Sequence, residues 1–169
     1  EEEAARLHHQ GAGIFGGGEV LIDDNRGNIP LLEIVTAPEI TCPRVARELM
    51  EELKRVLEYI GVTDGKMAEG SFRCDANISV RPRGQRGLGK RAEIKNLNSF
   101  CALETALRYE AGRQSALLKA GQPLLREECR GWEEVTGETR FMRYKEQPGE
   151  YRYFPDPDLP GLELTREFV

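Results

Sequence analysis

The chain has 169 residues, 24 of them Lys or Arg and 29 Asp or Glu, for a net charge of −5. That length suits one domain with a real core, and the acidic balance excludes a domain that grips nucleic acid by bulk charge alone. No apolar run approaches the roughly 20 residues of a membrane span, and the four cysteines, Cys42, Cys74, Cys101 and Cys129, lack both the close pairs of a zinc site and the density of a secreted disulfide scaffold.

In chain order, the first motif is "GAGIFG", Gly11 to Gly16, which matches the dinucleotide fingerprint G-x-G-x-x-G letter for letter. It lacks the preceding strand and following helix that such a loop needs to meet a pyrophosphate, so a glycine-rich loop is the expectation. Residues 19–23, "EVLID", and 30–36, "PLLEIVT", are expected as strands on either side of the turn "DNRGN". Within the second of these, Glu33 sits in an apolar run, where an unpaired carboxylate is costly to bury. From "TCPRVARELMEELKRVLEYIG" a helix is predicted, with Pro43 in its first turn, Gly61 at its end and Val45, Leu49, Leu53, Val56, Leu57 and Ile60 on one stripe.

The stretch "GSFRCDANISVRP" then puts Phe72, Cys74, Ala76, Ile78 and Val80 at every second position, the period of a half-buried strand. Its other face carries Arg73, Asp75, Asn77, Ser79 and Arg81. Asp and Asn are poor strand formers, so either that face is simply solvated or it has work to do. The loop "GQRGLGKR" comes within one residue of the P-loop pattern, but Arg91 stands where a hydroxyl should hold Mg²⁺, and the loop leads to a strand rather than a helix. With Arg81, Arg83, Arg86, Lys90 and Arg91 it is the most basic stretch of the chain, open to two readings, a solvated hairpin loop or a phosphate contact.

A second strand is expected over "RAEIKNL", and a helix over roughly 99–120, capped by Asn98 or Ser99 and closed by Gly121. Phe100, Leu103, Ala106, Leu107 and Leu117 should face inward. A hairpin around "EEVTGETR" and a Pro-rich loop, "YFPDPDLPG", follow. The irregular alternation of strands and helices, with hairpin-length links, predicts an α+β fold in which helices pack on a mainly antiparallel sheet. A chain that opens on Glu1 and stops at "ELTREFV" without a targeting signal is expected to be a segment of a longer protein.

Pairing the two central strands would bring Asp75 and Glu93 onto one surface with Arg73, Asn77 and Lys95. Carboxylates held without enough partners ask for a cation, and Mg²⁺ takes oxygen ligands from one or two carboxylates, with waters and phosphates completing an octahedron. The competing reading is an ordinary network of ion pairs among Glu33, Arg73, Asp75, Glu93 and Lys95.

"PLLEIVTAPEI", "GSFRCDANISVRP", "EIKNLNSF", "GETRFMR" and "YRYFPDPDLP" closely resemble, in order and spacing, the B subunits of heterotrimeric aspartyl/glutamyl-tRNA amidotransferases (GatCAB). The resemblance runs over nearly the whole chain. It implies that residues 1–169 form part of the catalytic cradle domain, similar in fold to the catalytic domain of glutamine synthetase, with an upstream segment and C-terminal helical and tail domains lying outside this sequence. It further implies ATP and Mg²⁺ as cofactors, glutaminase (A) and small C subunits as partners, and Glu or Asp mischarged on tRNA as substrate, in the cytoplasm or an organellar matrix. ATP would phosphorylate the side-chain carboxylate, and ammonia from the glutaminase would displace phosphate.

By the same resemblance Glu33, Asp75 and Glu93 match metal-pocket acids, and Glu2, of the pair Glu1 and Glu2, is assigned as another. Arg73, Asn77 and Lys95 lie in the same motifs and are assigned phosphate or substrate contacts on chemical grounds, Arg73 and Lys95 toward the nucleotide. The sequence departs from the family in the glycine-rich "GAGIFGGG" and in lacking the upstream Glu-x-His motif. The alternative is a noncatalytic RNA-binding or scaffold module, whose basic loop grips phosphate while the acids only pair with it.

Overall fold

The computed structural model describes residues 6–9, 20–25, 27, 29–145, 161 and 163–168. The chain divides into two compact units, residues 1–39 and 40–169. The first unit is built on an antiparallel ribbon of β1 (Arg6–His9) and β2 (Val20–Asp23), in register Arg6↔Asp23 to His9↔Val20. Beyond β2 the Asp23 carboxylate accepts hydrogen bonds from the backbone and side-chain amides of Asn25, at 3.0 and 2.6 Å, which closes the turn expected there. Of the strand expected after that turn, Pro30 alone forms a bridge. The segment 31–37 belongs to no ladder, and Leu32, Glu33, Ile34 and Val35 are exposed. An apolar run becomes a strand only when another strand bonds with it, and the described partner of β2 is β1, which sequence reading did not anticipate. "GAGIFG" and residues 153–160 of the Pro-rich run lie outside the described residues.

The second unit opens with α1 (Pro43–Tyr59). Pro43 occupies the first turn, where a missing N–H costs nothing, and the helix ends at Ile60, before Gly61 at a φ of 75°. Ala46 is buried and Met50 packs on the core, whereas Val45, Leu49, Val56 and Ile60, on the apolar stripe read from sequence, are exposed.

Four strands follow in the sheet order β3 (Ala76–Ile78), β4 (Ala92–Lys95), β5 (Glu128–Glu133) and β6 (Glu138–Tyr144), with α2 (Phe100–Lys119) between β4 and β5. β3 pairs antiparallel with β4 and β5 with β6, while β4 and β5 run parallel because a whole helix separates them. This is the expected mainly antiparallel α+β arrangement. The regular strand is shorter than the alternation in sequence, yet burial follows that alternation: Phe72 and Ala76 are buried, Cys74, Ile78 and Val80 half-buried, and Arg73, Asp75 and Asn77 exposed.

The Ser99 hydroxyl caps α2 by accepting from the Ala102 amide at 3.0 Å. The helix lays Ala102, Leu103, Ala106 and Leu107 on one face of the sheet, against Ala76, Ile94 and Trp132. Sheet and helix thus bury one face and leave the other available for a site.

Candidate functional site

On the open face, register sets side chains in rows across the strands. Asn77 pairs with Glu93, Glu93 with Cys129 and Cys129 with Arg143, so these four positions cross the sheet as one line. Asp75, two residues before Asn77, lies beside Lys95, two residues after Glu93. The Lys95 ammonium reaches Asp75 Oδ2 at 2.6 Å and Glu93 Oε1 at 3.0 Å. The other Glu93 oxygen takes the Lys145 ammonium at 2.5 Å and the Cys129 thiol at 3.5 Å. Asn96, at a φ of 64°, ends β4 directly after Lys95.

Electrostatics distinguish the two acids. The Glu93 side chain is 13 % exposed against 46 % for Asp75. Partial burial works against ionisation of Glu93, but hydrogen bonds and charge from Lys145 and Lys95 outweigh it and hold the carboxyl at about 2. Burial likewise opposes charge on Lys95, and Asp75 and Glu93 reverse that, leaving its pKa raised. Burial beside Glu93 raises the Cys129 thiol. Burial raises Cys74, on the core side of the strand, to about 11, so its thiol stays protonated at neutral pH, in keeping with a packing role.

Of the residues singled out from sequence, Asp75, Glu93 and Lys95 converge, and Asn77 joins them by register. Arg73 is exposed two residues upstream of Asp75. Glu33 belongs to the first unit, and its carboxylate is exposed rather than trapped in an apolar environment as its neighbours suggested. Glu2 lies outside the described residues. Among the described residues no group of three or more His, Cys, Asp and Glu side chains is placed to hold a metal ion. The oxygen donors that do converge, Asp75 and Glu93, suit a hard cation, and both already reach for one positive charge, the Lys95 ammonium.

Two features escaped the sequence reading. Lys145 stands just past β6, and only the parallel join of β4 to β5 carries it to Glu93. The second is a buried polar network on the helix side of the sheet. Glu110, 0 % exposed, takes both nitrogens of an Arg113 fork at 2.9 and 2.6 Å, the Thr139 hydroxyl at 2.8 Å and the Gln114 amide at 2.9 Å. Arg113 continues to Glu128, which also receives Arg130 at 3.4 Å. Gln114 bonds β3 as a neighbouring strand would, donating to Ile78 O at 3.3 Å and accepting from Val80 N at 3.0 Å. A signal for it existed: Glu110 and Gln114 continue the buried stripe of Leu103, Ala106 and Leu107, and charge on a core stripe implies a partner.

The basic stretch is the connection between antiparallel β3 and β4, not a strand-to-helix turn, which removes the P-loop reading. It is folded rather than splayed: Arg81 Nη1 donates to Arg86 O at 2.8 Å and Gln85 N to Pro82 O at 3.2 Å. Gly89 lets it pass close to the strand, since a Cβ there would fall 2.6 Å from Val80 O.

The model of the GatB/GatE catalytic domain family matches residues 1–169. The chain is 51 % identical over 168 residues to the B subunit of the aspartyl/glutamyl-tRNA(Asn/Gln) amidotransferase of Thermosynechococcus vestitus, covering 99 % of this chain and 33 % of that protein. It is 48 % identical to the corresponding B subunits of Gloeothece citriformis, over all of this chain and 34 % of the relative, and Carboxydothermus hydrogenoformans, over all of it and 35 %. The chain therefore spans about a third of the length of these relatives.

Proposed function

Since the chain belongs to the GatB/GatE catalytic domain family, we propose that its open sheet face activates a carboxylate by ATP-dependent phosphorylation, within a complex that amidates Glu or Asp mischarged on tRNA. The single observation carrying this reading is the convergence of Asp75 and Glu93 on one ammonium, which marks where these strands present positive charge with oxygen ligands.

A free carboxylate is a poor acyl donor because attack on it must expel oxide. Its oxygen attacks the γ-phosphorus of ATP instead, the bond to ADP breaks, and ammonia then displaces inorganic phosphate from the acyl phosphate to leave the amide. Asp75 and Glu93 would hold Mg²⁺. Mg²⁺, when bound, neutralises phosphate oxygens. Lys95 and Arg73 contact the phosphates, Asn77 orients the reacting carboxylate through its amide, and Lys145 fixes Glu93 from the far side. The glutaminase and a small third subunit supply the ammonia and complete the assembly.

The noncatalytic RNA-binding reading is not favoured, because it pairs the acids with the basic loop, whereas Asp75 and Glu93 pair with Lys95 and Lys145.

The test is Asp75→Asn and Glu93→Gln in the complete protein assembled with its partner subunits. ATP-dependent amide formation on mischarged tRNA should fall by about 10²-fold or more in each, as for loss of a transition-state charge contact. Glutamine hydrolysis by the partner should persist. Wild-type transfer rates in both variants would falsify the assignment.

A further inference from the structure

We infer that the β3–β4 loop is an RNA-backbone contact, with Arg83, Arg86 and Lys90 as the cations that meet phosphate. The inference rests on the reading of tRNA as substrate given above, and it adds a surface that the reading does not need.

Its first support is the distribution of charge. Between Asp75 and Glu93 the sequence holds five cations and no acid, in a chain whose net charge is −5. Elsewhere in the second unit exposed cations are mostly matched by acids: Arg44 with Glu48, Arg55 with Glu52, Lys66 with Asp64 and Glu69, and Arg108 with Glu104. In the loop, Arg91 is matched by Glu127 at 2.9 Å. Arg83, Arg86 and Lys90 are exposed, and no acid among the described residues pairs with them. Concentrated unmatched charge on an acidic domain favours a polyanion locally while the rest of the surface repels it.

The second support is that the loop is held in shape. Arg81 spends its guanidinium on Arg86 O, and the loop encloses an open recess of about 520 Å³ lined by Arg81, Arg83, Gln85 and Arg86. At its base, Gln114 grips Ile78 O and Val80 N from α2, and Gln114 is itself fixed by buried Glu110. A braced loop gives up less freedom when it meets a ligand than a slack one. The fork of a guanidinium and the point charge of an ammonium both suit phosphate oxygens, and neither reads base sequence. The loop also joins β3 to β4, the strand that carries Glu93.

The experiment measures tRNA affinity of the complete protein in its assembled complex, by fluorescence anisotropy across a salt series. Three proteins are compared: the natural one, the triple variant Arg83→Ala, Arg86→Ala, Lys90→Ala, and a control triple variant Arg44→Ala, Arg55→Ala, Lys66→Ala that loses the same formal charge from acid-matched sites. If the loop contacts the backbone, the first variant lowers the slope of log affinity against log salt by roughly 2 to 3, because each lost phosphate contact releases about one fewer counterion. The loss should be similar for cognate and noncognate tRNA, and the control should keep the natural slope. An unchanged slope in the loop variant, or an equal fall in both variants, overturns the inference. So does a loop variant whose only loss is binding of an acidic protein. If the natural complex binds no tRNA at all, the failure belongs to the functional reading instead.

Discussion

Two polar clusters occupy opposite faces of the same four-stranded sheet, and they are built differently. On the helix side, Glu110, Arg113, Gln114, Glu128, Arg130 and Thr139 form a closed set in which the central carboxylate is wholly buried and its oxygens are taken by hydrogen bonds. On the open side, Asp75, Glu93, Lys95 and Lys145 form a shorter chain whose members range from 13 % to 46 % exposed. The closed set holds strands and helix together, since Gln114 bonds β3, Thr139 belongs to β6 and Glu128 to β5. The open set has capacity left for an incoming ion or phosphate. Buried charge with every partner present is architecture, and partly wet charge with partners to spare is available for chemistry.

The contrast is sharpest at the two glutamates. Replacing Glu110 by Ala leaves Arg113 and Arg130 to share Glu128 and leaves Gln114 and Thr139 without their buried acceptor, and should lower unfolding free energy by about 3 kcal/mol. Urea denaturation measures it, and a loss below about 1 kcal/mol would break the distinction. Glu93 stands in between. Its carboxyl lies at about 2 in the folded protein against an ordinary 4.5, so the stability it contributes is complete above pH 4.5 and drains away as pH falls toward 2. Glu93→Gln should therefore flatten acid destabilisation in that window and cost on the order of 2 kcal/mol at neutral pH, after allowance for solvent screening. Thermal melts of both proteins from pH 7 to pH 2.5 test the sign. The smallest effect belongs to Asp75→Asn, whose half-exposed pairing with Lys95 contributes about 1 kcal/mol or less. Its stability should hardly move although its catalytic loss is predicted to be large. A marked destabilisation there would make the open cluster architectural too.

How much of this was legible follows from which interactions are local. The alternation from Phe72 to Val80 and the apolar Ala92 and Ile94 give both strands and the face each presents, so Asp75, Glu93 and Lys95 could be brought together on paper. The Ser99 cap and the hairpin over residues 133–140 are equally local. What sequence could not give was long range. Lys145 meets Glu93 only through the β4–β5 join, and Glu110 meets Thr139 and Arg130 only after α2 has docked. The strand expected over 30–36 failed for the converse reason, because an apolar run gives no indication of which segment will pair with it. The stripe on α1 was read correctly as apolar, but periodicity does not say what covers it.

The parallel join has a consequence in time. β5 and β6 close through four residues, and β3 and β4 through the basic loop, so each hairpin can form from neighbours in sequence. β4 and β5 meet only when the twenty residues of α2 have folded back across the sheet, a longer closure than either hairpin needs. Glu93 comes from one side of that join and Lys145 from the other. During refolding, the helical circular dichroism of α1 and α2 should return ahead of the protection of Glu93 from protonation. The open cluster thus becomes complete only once that join has formed.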